Sequence, residues 1–281
     1  MLKYHQRTFD YLKREPVISE QRKDSVRAFG QYIGVDLPES FVKWFSLEGS
    51  EEQIRFNDDR VAMIGGFRLL PNPLFPDDKR FRNARFVTHS PLWPRVVPDT
   101  FTYEGFLVFI FENQGVCFWG IDLNRAEDPP VYVRWNDPDA RWIPCSDSFS
   151  EFVFARVWDT ANWFGGAQAQ ANKVSFTDLA YLEQNYTLVQ TGGFFAGYRQ
   201  VYRFEREDKR IWVGQSRLSD HSDWHINAET EDSIIECLRD IWHLNNLSES
   251  TYTYGTNPSL QQKLNAPPTE SGWNHLRLKV A

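Results

Sequence analysis

The stretch that most constrains this chain is Phe106-Leu-Val-Phe-Ile-Phe111, an unbroken apolar run followed by Glu112-Asn-Gln-Gly115. The run is too short to cross a membrane and rich in β-forming residues, so it reads as a strand covered on both faces. Gly115 can take the positive φ of a short hairpin loop, and Val116 to Leu123 returns as the partner strand. Beyond Pro129-Pro130, Val131, Val133 and Trp135 alternate with Tyr132 and Arg134, the period of a third strand with one buried face. Ser148-Phe-Ser-Glu151 has the Ser-x-x-Glu form of a capping box, and Phe149, Phe152, Val153 and Val157 behind it share one helical face. An antiparallel sheet with a helix laid on it follows from these residues alone.

The rest of the composition agrees with a packed α+β protein. A chain of 281 residues can form one large domain or two of ordinary size. With 22 Phe, 11 Tyr and 11 Trp against 2 Met, its core must be mainly aromatic. The net charge of −7 is mild, and neither half is basic, which argues against nucleic-acid binding. Cys117, Cys145 and Cys237 have no close spacing and read as buried, reduced thiols of a cytoplasmic protein. No apolar run reaches about 18 residues, and the amino terminus lacks a leader pattern, so neither export nor membrane insertion is expected.

Before the central stretch, residues 1–36 predict one or two surface helices, and Asp36-Leu-Pro-Glu39 opens a short helix bearing Phe41, Trp44 and Phe45. Ile54-Arg-Phe56 and Val61-Ala-Met-Ile64 predict a small hairpin with Asp58 and Asp59 at an acidic tip. Lys79, Arg80, Arg82 and Arg85 form a short basic cluster, which reads as a charged surface loop. After the boxed helix, residues 165–172 are small and polar and predict a linker.

Leu37-Pro-Glu-Ser-Phe41 through Phe45 and Gly49, then Gly66, Gly105-Phe-Leu-Val-Phe109, Phe118-Trp-Gly-Ile-Asp-Leu123, Pro130-Val-Tyr132 and Asp147-Ser-Phe-Ser-Glu-Phe152, together resemble the SUKH superfamily. That family contains fungal cell-wall-synthesis regulators and many bacterial immunity proteins, and the resemblance covers about residues 20–162. It implies a mainly antiparallel sheet with helices on one face, over a domain of residues 1–165. The acidic, glycine-rich hairpin turn common in the family is here only the weakly acidic Glu112-Asn-Gln-Gly115.

Residues 173–247 again predict a helix, a hairpin (198–204 with 210–215), a further strand at 224–227 and a helix opening on Ser233-Ile-Ile-Glu236. This region is either a diverged copy of the first or an extension of its sheet. Residues 248–281 predict an irregular tail.

Chemistry-bearing motifs are few. Neither a phosphate-cradling glycine loop nor a nucleophile elbow is present. Asp220-His-Ser-Asp-Trp-His225 is the densest polar cluster, and on a strand His221, Asp223 and His225 share a face that could take a metal. The resemblance implies instead a cofactor-free, non-enzymatic cytoplasmic protein that binds a protein partner, a toxin domain, and occludes it. The alternatives are a regulatory scaffold like the fungal members and an enzyme built on the His221 cluster. Glu51, Glu52, Asp58, Asp59 and Glu112 are the expected partner-binding residues.

Overall fold

The computed structural model describes residues 3–33, 36–56, 59–61, 102–103, 106–123, 127–136, 140–175, 179–193, 195–247 and 251–252. Gly66, Gly105, Asp58, the second arm of the expected small hairpin beyond Val61, the basic cluster at 79–85 and most of the tail lie outside them. The chain divides into two compact units, Met1–Thr160 and Ala161–Ala281.

The first unit opens with helices α1 (Gln6–Leu12), α2 (Glu20–Ile33), α3 (Glu39–Phe45) and α4 (Ser50–Ile54). Its sheet comprises β1 (Arg60–Val61), β2 (Thr102–Tyr103), β3 (Phe106–Phe111), β4 (Cys117–Asp122), β5 (Val131–Trp135) and β6 (Ile143–Ser146). The order is β1-β3-β4-β5-β6, with β2 also on β3, and every pairing is antiparallel. As its apolar run predicts, β3 is closed on both faces: Leu107, Val108, Phe109 and Ile110 are all fully buried. Helix α5 (Phe149–Phe164) starts where the box predicts, with the Glu151 N–H donating to Ser148 Oγ at 3.2 Å.

The core between α3, α5 and the sheet is aromatic. Phe41 lies 4.6 Å from Phe45 and 5.2 Å from Phe149, ring centre to ring centre, and Phe109 meets Phe149 and Phe152 edge-on at 5.3 and 5.4 Å. Such tilted and T-shaped pairs let the positive edge of one ring meet the negative face of the next.

Two expectations in this unit are corrected. Ile54 ends helix α4 instead of starting a strand, because Ser50-Glu-Glu-Gln directly before it supplies good helix formers and an acidic first turn. Helix α3 begins without the Asp36 cap: Pro38 takes the N-cap position with no side-chain bond to the helix.

The second unit holds β7 (Ala167–Ser175), α6 (Ala180–Asn185), β8 (Thr187–Thr191), β9 (Tyr198–Arg206), β10 (Lys209–Ser216), β11 (His221–Ala228), α7 (Glu231–Ile241) and β12 (Thr251–Tyr252). These strands form their own antiparallel sheet, β12-β7-β11-β10-β9-β8, so they do not extend the first. Residues 167–172 are therefore not a linker but part of an interior strand. Ala169 and Ala171 are fully buried there in a core with Ile234, Leu238 and Ile241 of α7. Small side chains that look flexible in sequence are here the ones that let a helix sit close to a sheet.

Gly166 makes the turn into β7 at φ 63°, where an added Cβ would strike the Ala228 carbonyl. Helix α7 is capped by Thr230, whose Oγ1 accepts the Ser233 N–H at 3.1 Å. The expected Ser233-x-x-Glu236 box is displaced by one turn, since Ser233 lies three residues inside the helix and donates its N–H to the cap instead of forming it.

Candidate protein-binding face

The residues singled out from sequence go to different places. Around the β3–β4 turn, Glu112 is half-buried and its carboxylate accepts the Gln114 and Val116 N–H groups at 2.9 and 3.1 Å. Burial pushes its pKa up, and those two N–H groups pull against that shift. Asp59 is 4% exposed, accepts the Asn113 N–H at 3.0 Å and pairs with Arg156 of α5. Burial pushes the Asp59 carboxyl up as well, with Arg156 opposing it. The structure thus brings Asp59 and Glu112 to one turn, but both carboxylates point into its own hydrogen bonding. On α4, Glu51 pairs with Arg22 at 3.2 Å, while Glu52 is exposed.

The residues of the His221 cluster do not converge either. His221 is exposed. Asp223 accepts the Lys173 N–H and the Tyr198 hydroxyl at 3.2 and 3.1 Å. His225 is 1% exposed, stacked 4.0 Å from Trp163 and bonded through Nδ1 to Asn162 at 3.1 Å. Burial holds its pKa down at about 4, so it is neutral near pH 7. No group of three metal-ligating side chains stands together among the described residues. All three cysteines are buried and free.

A different cluster forms in the second unit, where the β9–β10 turn meets the start of α7. Glu207 and Asp208 make the turn, and Glu229, Glu231, Asp232 and Glu236 lie just before and along α7. The Asp208 carboxylate accepts the Glu229 N–H at 3.3 Å and thereby ties the turn to the helix. Burial would raise the Asp208 carboxyl, but bonds from Ser233 and the Glu229 N–H, with Lys209 nearby, hold it below its usual value.

Lys209 sits beneath these acids. The Lys209 side chain, 6% exposed, faces Glu207 at 3.2 Å, Glu236 at 3.3 Å and Asp208 at 3.8 Å. Burial works to lower its pKa, and the Glu207 and Glu236 carboxylates overcome that and raise it. The Glu207 and Glu236 side chains remain 76% and 65% exposed, so this end of the unit presents an acidic surface to solvent. Glu231 and Asp232 also suit a helix N-terminus electrostatically. Glu207, Glu229 and Glu236 are outside that first turn and are not explained by it.

Sequence reading missed this face because its two halves, Glu205-Arg-Glu-Asp-Lys209 and Glu229-Thr-Glu-Asp232, stand apart in the chain and meet only when β11 returns along β10. No helix among the described residues is long and apolar enough to cross a membrane. No protein-family model, curated protein or solved structure matches the chain.

Proposed function

We propose that this is a non-enzymatic, immunity-type cytoplasmic protein of SUKH-like fold that holds a toxin domain and occludes it, using the acidic end of the second unit. The observation that carries the reading is the pair of exposed acids Glu207 and Glu236 over the buried Lys209, with Glu229 tied to Asp208 in the adjoining turn and Asp232 one turn before Glu236 on α7. An acidic surface of this kind attracts a basic cleft, speeds encounter and fixes orientation. Domains that act on nucleic acid carry such clefts, and occlusion needs no reactive group on the inhibitor.

We further read the second unit as a diverged copy of the first. In each, a short helix and an edge strand precede a hairpin and a third antiparallel strand, and a capped helix follows: α4, β1, β3, β4, β5 and α5 against α6, β8, β9, β10, β11 and α7, with β2 and β6 added inside the first series and β7 standing before the second. The return strand of each hairpin carries a glycine beneath a tryptophan ring, Gly120 under Trp142 and Gly214 under Trp212. The β9–β10 turn then corresponds to the β3–β4 turn, and solvent-facing acids stand at the second, while Asp59 and Glu112 are taken up by the hydrogen bonds of the first.

The test is capture from the native cytoplasm with the tagged full chain, at low and high salt, beside a Glu229→Lys/Asp232→Lys variant of unchanged circular dichroism. One basic partner, held less tightly as salt rises and lost with the variant, is the expected result. Retention of that partner by the variant would remove the acidic end from the reading. Recovery of several unrelated proteins would favour a scaffold instead.

A further inference from the structure

Independent of the acidic end, the first unit opens on a segment that side chains fasten to it. Helix α1 is bounded by two non-glycine residues in the left-handed region, His5 at φ 64° and Lys13 at φ 52°, a conformation that costs energy for a residue with a Cβ. Ahead of it, Lys3 Nζ and the Tyr4 hydroxyl donate to Glu127 at 2.6 and 2.8 Å and to Glu39 at 3.3 and 3.2 Å. Within it, Arg7 pairs with Glu151 of α5 at 2.9 Å. The ions of these pairs stand in solvent, so they hold the segment only weakly. The buried fastening is His5. It is 4% exposed, its ring lies 5.1 Å from that of Trp44 on α3 and edge-on to Phe149 of α5 at 5.8 Å, and its Nε2 donates to the Ser40 carbonyl at 2.8 Å. A carbonyl only accepts, so Nε2 carries the proton and Nδ1 of the neutral ring is a bare acceptor. Among the described residues Nδ1 meets no partner, and neither do Ser40 Oγ and Trp44 Nε1, the buried polar atoms of the two α3 residues that His5 touches. Three polar atoms therefore lose water at this seam without replacement, and each regains it when the seam opens.

We propose that residues 3–12 are an acid-released latch, which leaves α3 and α5 as His5 takes a second proton while the rest of the first unit stays folded. The second proton goes to Nδ1 and sets a full charge between the Trp44 and Phe149 rings, whereas in water the same imidazolium is solvated. Burial lowers His5 from 6.5 to about 4, against the Ser40 carbonyl and Asp128, which favour the charged ring, and with Lys43 opposing it. The closed form is therefore favoured in full above about pH 6.5 and loses that advantage as pH falls toward about 4. The other titratable groups around the seam are Lys3, Tyr4 and Arg7 on the segment, Glu39 and Lys43 on α3, Glu127 and Asp128 ahead of β5, and Glu151 on α5. Lys43 and Lys3 hold Glu39 down at about 2, and Lys3 and Tyr4 hold Glu127 below its usual value, so both keep their charge through this window. The ring contacts of Phe41, Phe45, Phe109 and Phe152 with Phe149 involve no residue of the segment and stay in place when it leaves. Release uncovers Trp44 and Phe154, over which Phe9 and Tyr11 lie at 6.1 and 5.7 Å.

Amide exchange on the full chain, followed residue by residue and corrected for its intrinsic pH dependence, reads the latch directly. Protection of the Asp10, Tyr11 and Leu12 amides should lie below that of Phe109 and Trp119 at every pH and fall about a hundredfold from about pH 7 to about pH 4. The His5 ring resonances should titrate over the same range. In His5→Gln, whose amide still donates to the Ser40 carbonyl but takes no proton, protection of α1 should change less than about threefold. Amides of α1 as protected as those of Phe109 and Trp119, or an acid loss that survives His5→Gln, would each overturn the proposal. If the glutamine variant fails to fold, the unaltered protein still decides: a His5 that titrates near about pH 6.5 while α1 keeps its protection would end the latch.

Discussion

The β3–β4 and β9–β10 turns occupy the same place in their sheets and use their acids in opposite ways. In the first, Glu112 holds two N–H groups of its own loop, Asp59 holds a third and pairs with Arg156, and the Asn136 side chain donates to the Gly115 carbonyl at 2.8 Å. In the second, Asp208 serves the fold in this way, and Glu207 stands in solvent over a lysine it shares with Glu236. The difference teaches that acidic residues in a hairpin turn are not evidence of a surface until their hydrogen bonds are counted. A carboxylate that satisfies backbone donors is fixed by the fold, and one that faces water is available to a partner.

Removing one acid from each turn gives the largest contrast. Asp59→Ala leaves the Arg156 guanidinium buried without its counter-charge, and a stability loss of about 3 to 5 kcal/mol is expected. Glu207→Ala leaves Asp208 and Glu236 on Lys209 and should stay within about 0.5 kcal/mol. Denaturant titration of the full chain measures both, and equal losses would end the distinction between the turns.

Acid titration is the next test, and here the units should agree. Among the described residues each buries an imidazole: burial lowers His5 from 6.5 to about 4, against the opposing pull of its Ser40 carbonyl contact, and burial lowers His225 to about 4. The unfolded chain takes up these protons first as pH falls. Stability is therefore fully present above about 6.5 and declines toward pH 4 at about 1.4 kcal/mol per pH unit for each histidine, roughly 3 kcal/mol apiece. Denaturation midpoints between pH 7 and 4 should fall less steeply in His225→Phe, and in His5→Phe by a similar amount. An unchanged slope in either would remove that histidine from the account.

Gly120 and Gly214 sharpen the proposed equivalence. A Cβ on Gly120 would lie 2.7 Å from the Trp142 ring, and one on Gly214 would lie 2.9 Å from Tyr198 and press into Trp212. Each alanine variant should cost about 1 to 3 kcal/mol through overpacking. Near-ultraviolet circular dichroism would show the tryptophan disturbed in both, and an undisturbed ring in one would break the likeness between the sheets.

Legibility in the sequence followed the range over which each signal acts. The β3 strand and the Ser148 cap could be read because an apolar run and a Ser-x-x-Glu spacing are local. The strand at 167–175 could not, since alanine and glutamine carry little β preference, and only burial against α7 makes them a strand. Asp59 read as a surface acid because its partner, Arg156, is far away in the chain. The acidic end was visible only as two separate fragments, a turn and a helix start. Local chemistry set the elements, and pairing between distant segments decided which charges were left outside.

The smallest expected effect concerns the helix starts, where the same physics should appear in both units. Ser148 accepts the Glu151 N–H at 3.2 Å and Thr230 accepts the Ser233 N–H at 3.1 Å, each satisfying one of the donors a helix leaves unpaired at its first turn. Ser148→Ala and Thr230→Ala should each lower stability by about 1 kcal/mol. The Thr230 change has a second reading, because its helix start carries the acidic end. Fraying there would loosen Glu231 and Asp232 relative to Glu207 while leaving every charge in place. Amide exchange at Ser233 would report the lost cap, and partner capture at low salt would report whether the fixed spacing of the acids matters. Capture that falls with the cap would assign the binding to a preorganised face, and capture that persists would assign it to net charge alone.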